Sequence, residues 1–108
     1  MTKFKENMIN TTKIKSYIGF AIKMQKATFG VDGIKTCRRK IYIVLYDGSL
    51  GDNSRKKLCD FCANKNIRCS MVDFSLSELT KRANVKAVAI EDSSLGSAIT
   101  ECMEVQHE

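Results

Sequence analysis

Two cysteines, Cys59 and Cys62, have the spacing of a metal or redox site, because thiolates three positions apart can ligate zinc or exchange a disulfide. A structural zinc site needs four ligands, yet the other three cysteines stand singly and the sole histidine is His107. On a helix, the pair would face inward with Leu58 and Phe61, where free cysteines commonly pack. We therefore expect packed thiols and no metal site, and we keep a thiol or zinc module as an alternative.

The other reactive residue types do not form a pattern that is typical of an enzyme. A nucleophile activated by a histidine base is not expected, because His107 stands near the end of the sequence. The sequence contains no glycine-rich phosphate loop of the Walker or dinucleotide-binding kind. Glu91 and Asp92 are adjacent, so their side chains should diverge, and we expect no other group to converge on them. These patterns predict a protein without catalytic residues, a cofactor or a small-molecule substrate.

The charge of the chain is unevenly distributed along the sequence. Residues 1–88 carry eighteen Lys and Arg against seven Asp and Glu, whereas residues 89–108 carry five acidic residues and neither Lys nor Arg. A basic body is typical of proteins that bind nucleic acid, because it attracts the phosphate backbone. The alternative interpretation of the same charge is an inert basic surface.

Length and composition predict one globular domain. The chain has 108 residues, of which 44% are apolar and 28% are charged, a balance that favours a packed core over disorder. No apolar run approaches the roughly 20 residues of a membrane span, and residues 1–9 lack the apolar stretch of a signal peptide. An odd number of cysteines cannot all pair within one chain. We therefore expect a cytoplasmic protein with free thiols and no membrane partner.

Hydrophobic periodicity divides the chain into alternating helices and strands. Helices are predicted at 13–26, 32–37, 52–64, in a short segment from 75, and at 93–103. Strands are predicted at 27–29, 40–46, 67–72 and 85–90. Asp32 and either Asp52 or Asn53 are expected to cap helices, and Ser75 with Glu78 has the spacing of a capping box.

This alternation predicts helices on both faces of a largely parallel sheet. The fold that we expect is an α/β fold, namely a three-layer α/β/α sandwich with a small mixed four-stranded sheet. Residues 1–12 are charged and rich in Asn and Thr, so they are predicted to form a flexible arm. The domain is predicted to span 13–103, followed by an acidic tail at 104–108.

Four segments of the sequence carry a family resemblance. They are Ile-Gly-Phe-Ala-Ile-Lys at 18–23, Lys-Ala-Thr-Phe-Gly-Val-Asp at 26–32, the apolar strand at 41–47 with its terminal acid, and Asn-Ser-Arg-Lys-Lys-Leu at 53–58. In this order, over about residues 13–100, the chain resembles the bacterial branch of the ribosomal protein L-seven-Ae and L-thirty-e-like superfamily of kink-turn RNA-binding proteins. The resemblance implies a non-catalytic RNA-binding protein associated with the ribosome or another structured RNA, with ribosomal proteins as further candidate partners.

The resemblance also implies which residues would contact RNA. Gly30 matches the glycine that lets RNA approach a helix N-terminus, Asp32 matches a base-reading Asn, and Gly33 replaces a Glu or Gln. With the neighbouring cations, the implied RNA-binding residues are Lys26, Gly30, Asp32, Gly33, Lys35, Lys81 and Arg82. The missing acid at position 33 and the absence of glycines from the 79–84 segment favour the alternative, a protein-interaction domain on the same scaffold.

Overall fold

A computed structural model of the chain describes residues 2–104, with side chains over 11–103. Its elements, in chain order, are α1 (Thr2–Lys23), β1 (Ala27–Phe29), α2 (Val31–Lys35), β2 (Ile43–Tyr46), α3 (Asp52–Asn64), β3 (Arg68–Met71), α4 (Leu76–Thr80), β4 (Ala87–Ile90) and α5 (Ser93–Glu104). Every predicted helix and strand is present. The strands at 40–46, 67–72 and 85–90 are each shorter than predicted.

The four strands form one mixed sheet in the order β1-β4-β2-β3. β2 and β3 are parallel, whereas β4 is antiparallel to both of its neighbours. Parallel strands need a long crossover, and the 13 residues of α3 supply one between β2 and β3. The five residues of α4 only turn the chain back at the end of β3, so β4 enters in the opposite direction. The expectation of a largely parallel sheet was therefore wrong, and the mixed four-stranded sheet is confirmed.

Helices cover both faces of this sheet. Because side chains alternate along a strand, Ile43 and Leu45 of β2 face α1, α4 and α5, whereas Val44 faces α2 and α3. All three side chains are fully buried, as the continuous apolar run of this strand predicts. The three-layer α/β/α sandwich is confirmed.

The first helix begins at Thr2 and not at Lys13, so the predicted start of this helix was wrong and residues 2–12 are helical. Residues 2–12 lack a clear apolar repeat, so the sequence pattern underestimates the helix. The helix is anchored where Ile14 and Ile18 pack into the core, and each further residue continues its backbone hydrogen bonds at little cost. Residue 1 and residues 105–108, which hold most of the predicted acidic tail, lie outside the described residues.

Side-chain caps were predicted at three helices, and one of these predictions is confirmed. The Ser75 hydroxyl accepts a hydrogen bond from the backbone N–H of Glu78 at 3.2 Å. Gly30 and Gly51, rather than the acidic or amide residues after them, are the N-cap residues of α2 and α3, so those two predictions were wrong. In the part of the chain that the structure describes, no helix has the length and apolar character needed to cross a bilayer.

Candidate nucleic-acid interface

The sheet has two ends of different character, and its topology decides which residues meet at each. β1, β2 and β3 run in one direction, so Gly30, Asp47 and Val72 leave the sheet at the end where Lys86 enters β4. Backbone hydrogen bonds join them, from Gly30 N to Ala87 O at 3.0 Å and from Asp47 N to Lys86 O at 3.1 Å. We call this the Gly30 end.

The opposite end of the sheet holds the residues that precede β1 and follow β4. There the Glu91 N–H donates to the Lys26 carbonyl at 2.8 Å, and the Tyr42 N–H donates to the Ile90 carbonyl at 2.8 Å. We call this the Glu91 end. The sequence implied one RNA-binding surface that includes both Lys26 and Gly30. The structure places these two residues at opposite ends of β1.

Gly30 has a backbone conformation that favours glycine. Its φ of 84° and ψ of 149° lie in a region that residues with a Cβ rarely adopt. An added Cβ would have no neighbour within 4 Å, so the space beside Gly30 is open. α2 has only five residues, and its dipole is correspondingly small. Gly30 therefore provides the turn from β1 into α2 and an open space beside its backbone, rather than a strong helix dipole.

Two cations lie beside this junction on the segment between α4 and β4. The guanidinium carbon of Arg82 lies 4.7 Å from the centroid of the Phe29 ring, the residue directly before Gly30. Lys81 is the C-cap of α4, with a left-handed φ of 58°. Lys81 and Arg82 are both exposed, and so is Lys86 at the entry to β4. The structure thus brings Gly30, Lys81 and Arg82 to one end, together with Phe29 and Lys86, which sequence reasoning missed.

Hydrogen bonds hold this segment in place. The Ser77 hydroxyl donates to the Val85 carbonyl at 3.0 Å, and the Val85 N–H donates back to the hydroxyl at 3.1 Å. The Arg82 N–H donates to the Ser77 carbonyl at 3.2 Å. Asn84 has a left-handed φ of 65°, which asparagine tolerates better than most residues. The family that this chain resembles often has glycine at this position. The segment keeps a sharp turn without glycine.

Asp47 is a buried acid at the same end of the sheet, and its hydrogen bonds position two loops. Its carboxylate accepts from the backbone N–H groups of Ser49 at 3.0 Å and Leu76 at 2.8 Å, and from the Ser49 hydroxyl. Burial raises the pKa of Asp47, but these hydrogen bonds and the nearby charge of Lys86 outweigh it, so the pKa lies below its ordinary value. Asp47 is therefore an ionised anchor for the start of α4.

The remaining residues implied by the resemblance are distributed around α2. Asp32 and Lys35 are exposed on this helix. Gly33 faces β1, since a Cβ there would lie 3.3 Å from the Thr28 Cγ2 methyl. A longer side chain at position 33 would have to displace Thr28, so the glycine serves packing. Asp32 thus accompanies the Gly30 junction, whereas Gly33 lines the surface toward the Glu91 end.

Four side chains converge at the Glu91 end, where the sequence predicted no convergence. The Glu91 carboxylate accepts hydrogen bonds from the Thr28 hydroxyl, from Cys37 Sγ at 3.4 Å and from the Arg39 guanidinium at 3.4 Å. Arg39 also donates to the Gln25 carbonyl at 2.7 Å. The Glu91 side chain is only 2% exposed. Because its charge is paired, this cluster ties the chain between α2 and β2 to the sheet.

The cysteines of α3 lie against β3. Cys62 is buried, as predicted, whereas Cys59 is half-buried and its Sγ lies 3.8 Å from Cys69 Sγ. Among the described residues, no group of three His, Cys, Asp or Glu side chains is arranged to hold a metal ion. The proximity of Cys69 was not predicted, because it stands alone in the sequence.

Comparison with known proteins supports the fold and no particular activity. No protein-family model and no curated protein matches the chain. The chain is similar in structure to a protein of unknown function from Bacillus halodurans C, with a TM-score of 0.78 and 17% sequence identity over 85% of this chain and 97% of that one. At this level of identity the similarity shows a shared fold only.

Proposed function

We propose that this protein is a non-catalytic, cytoplasmic RNA-binding protein. It binds structured RNA, either ribosomal or kink-turn-like, at the Gly30 end of the sheet. The observation that carries the proposal is the arrangement of Arg82 over Phe29, directly beside the open backbone of Gly30. Kinked RNA exposes unstacked bases, and a guanidinium plane against an aromatic ring provides a stacking surface for them. The family resemblance supports the same class of partner.

Phosphate contacts would supply most of the affinity. Lys81, Arg82 and Lys86 are exposed at the Gly30 end and can neutralise the RNA backbone. The open space at Gly30 allows the backbone of the RNA to approach closely. Arg82 is oriented by its ring contact, so it can add shape selectivity to a charge-driven association.

The test is a binding titration of the wild-type protein against kink-turn, plain duplex and single-stranded RNA at several salt concentrations. We expect the double variant Lys81→Ala with Arg82→Ala to weaken binding and to lower the log–log salt slope by about 1.5, at roughly 0.7–0.9 per lost phosphate contact. The matched control is Lys56→Ala with Lys57→Ala, which removes the same charge from exposed positions on α3. Equal losses in both double variants would contradict a site at the Gly30 end.

A protein-interaction domain is the second candidate function, and the surface of α1 favours it. Phe20 on α1 and Met24 just after it, four positions apart, are each 50% exposed. Large apolar side chains on one helical face are typical of docking surfaces. Under this alternative, Phe20→Ser with Met24→Ser abolishes association with a protein partner and leaves RNA binding unchanged, whereas the Lys81 and Arg82 variant has no effect on that association.

A further inference from the structure

Three thiols meet where α3 packs against the edge strand β3. The Sγ atoms of Cys59 and Cys69 lie 3.8 Å apart. Cys62, one helical turn after Cys59, belongs to the buried cluster against which Cys69 packs. Cys59 and Cys69 are half-buried and Cys62 is fully buried, so the first two are the more accessible sulfurs. None of these residues lies in the candidate RNA interface.

We propose that Cys59 and Cys69 form a reversible disulfide when the protein meets a peroxide, so that α3 and β3 carry a redox-responsive modification site. A disulfide requires sulfurs about 2.05 Å apart, and the two atoms are already in contact. The rotation of two side chains on neighbouring elements would bring them together. This site is independent of the proposed RNA-binding function.

The chemistry balances with hydrogen peroxide as the oxidant. Cys59 loses its thiol proton and its thiolate attacks one peroxide oxygen, so that the S–O bond forms and the O–O bond breaks. The departing hydroxide takes up the lost proton, leaving a sulfenic acid and one water. Cys69 then attacks the Cys59 sulfur, the S–S bond forms, the S–O bond breaks, and the departing hydroxide is protonated to a second water. The two thiols together lose two electrons and two protons, and the peroxide is reduced to two waters.

Cys62 has a supporting position in this cluster. The neighbouring Cys69 thiol lowers the pKa of Cys62, whereas the Cys62 thiol together with burial raises the pKa of Cys69. Cys69 therefore keeps its proton at rest, and the buried Cys62 is less accessible to the peroxide than either of the other two thiols. Cys62 acts through Cys69 and does not need to enter the disulfide.

The experiment treats the native 108-residue chain with hydrogen peroxide, blocks the remaining thiols with N-ethylmaleimide and maps the peptides by mass spectrometry. We expect two of the five thiols to be lost and to return after dithiothreitol. Trypsin yields peptides 58–65 and 69–81, and cleavage before Asp60 then separates Cys59 from Cys62. A link between Cys59 and Cys69 supports the proposal. Five unreacted thiols, a link through Cys62, or irreversible oxidation without a link would overturn it.

Serine variants provide the matched comparison. Cys69→Ser should abolish the linked peptide, and Cys62→Ser should retain it. Cys102→Ser is the control, since this cysteine is buried in the opposite helical layer and should not affect the link. Circular dichroism of each variant shows that the fold is intact. Reversible loss of two thiols in Cys69→Ser to the same extent as in the wild type, or loss of the link in Cys102→Ser, would overturn the assignment.

Discussion

At the Glu91 end of the sheet, a carboxylate that is 2% exposed is surrounded by donors from Thr28, Cys37 and Arg39. At the Gly30 end, Lys81 and Arg82 project their charges into solvent. A charge taken out of water must find partners within the protein, and it then holds chain segments together. A charge left in water contributes little to stability and is available to an external ligand. The Glu91 cluster therefore contributes stability, whereas we propose that the exposed cations of the Gly30 end, which lie at the same end as the buried anchor Asp47, contribute binding.

The largest effect is expected where a charge is buried without the partners that Glu91 has. Val44 is fully buried at the centre of β2. Val44→Asp should unfold the domain, because an unpaired buried carboxylate costs several kcal/mol against a total stability of about 5–15 kcal/mol. Thermal denaturation followed by circular dichroism measures this. A cooperative transition near the wild-type midpoint would show that Val44 is not buried in this way, or that the strand tolerates a buried carboxylate without partners.

Removal of the paired carboxylate should cost less. Glu91→Ala removes the carboxylate that accepts from Thr28 and Cys37, while the Arg39 side chain, 59% exposed, remains hydrated. Thr28 and Cys37 keep only longer hydrogen bonds, from the Thr28 hydroxyl to Cys37 Sγ at 3.8 Å and from Cys37 Sγ to the Arg39 carbonyl at 3.6 Å. We expect a loss of about 3 kcal/mol in the free energy of unfolding, measured by urea denaturation. Glu91→Gln keeps one acceptor oxygen and should lose less. The RNA affinity of the folded variants should be unchanged. A loss of affinity that accompanies the loss of stability would contradict an RNA site confined to the Gly30 end.

Substitution of Gly30 should affect both properties. Gly30→Ala introduces a Cβ at a φ of 84° and should cost about 1–3 kcal/mol of stability. Gly30→Glu carries the same backbone strain and adds a negative charge in open space, so it should weaken RNA binding further. Gly30→Ala is thus the control that isolates the effect of the charge. Equal RNA affinities for the two variants would exclude an approach of RNA to this junction.

Asp47 should make stability depend on acid pH. Its folded-state pKa lies below the ordinary value, so the unfolded chain takes up a proton first. The stability from its hydrogen bonds is fully present above the unfolded pKa of about 3.9 and is lost as pH falls through the folded pKa. Urea midpoints measured from pH 7 to pH 3 should fall less steeply for Asp47→Asn than for the wild type. If the urea midpoints of the two proteins fell in parallel with pH, Asp47 would not be the ionised carboxylate that holds the start of α4.

The smallest effect is expected for two cations that lie outside the segment of Lys81 and Arg82. Lys26 lies at the Glu91 end and Lys35 is the last residue of α2. Lys26→Ala with Lys35→Ala removes the same charge as the variant at Lys81 and Arg82, so only position distinguishes them. We expect a smaller loss of RNA affinity and a salt slope lowered by less than about 1.5. An equal or larger loss of RNA affinity would show that the interface includes Lys26 or Lys35 and reaches toward the Glu91 end.

Much of the fold could be predicted because its signals are local. The alternating burial of β2 and the cap at Ser75 follow from periodicity and from side-chain chemistry within a few residues. The direction of β4 was harder, since it depends on how a five-residue helix turns the chain. The start of α1 was missed because residues 2–12 carry no apolar repeat of their own.

The candidate site divides in a similar way. The glycine at position 30 and the cations at Lys81 and Arg82 are visible in the sequence, and the resemblance links them to RNA. The contact of Arg82 with Phe29 is not visible, because 53 positions separate the two residues. Lys26 was grouped with Gly30 because the family resemblance joins a basic residue, a short strand and this glycine in one segment. A three-residue strand between them carries the chain from one end of the sheet to the other.

The sequence by itself determined the alternation of helices and strands, the basic body and the types of side chain available for chemistry. These properties depend on composition and on short-range periodicity, which the linear order preserves. Only the tertiary structure decided that Glu91 would be enclosed by Thr28, Cys37 and Arg39, and that Cys69 would lie against Cys59. The reason is that such encounters depend on strand order and on packing between distant segments, which local patterns do not specify.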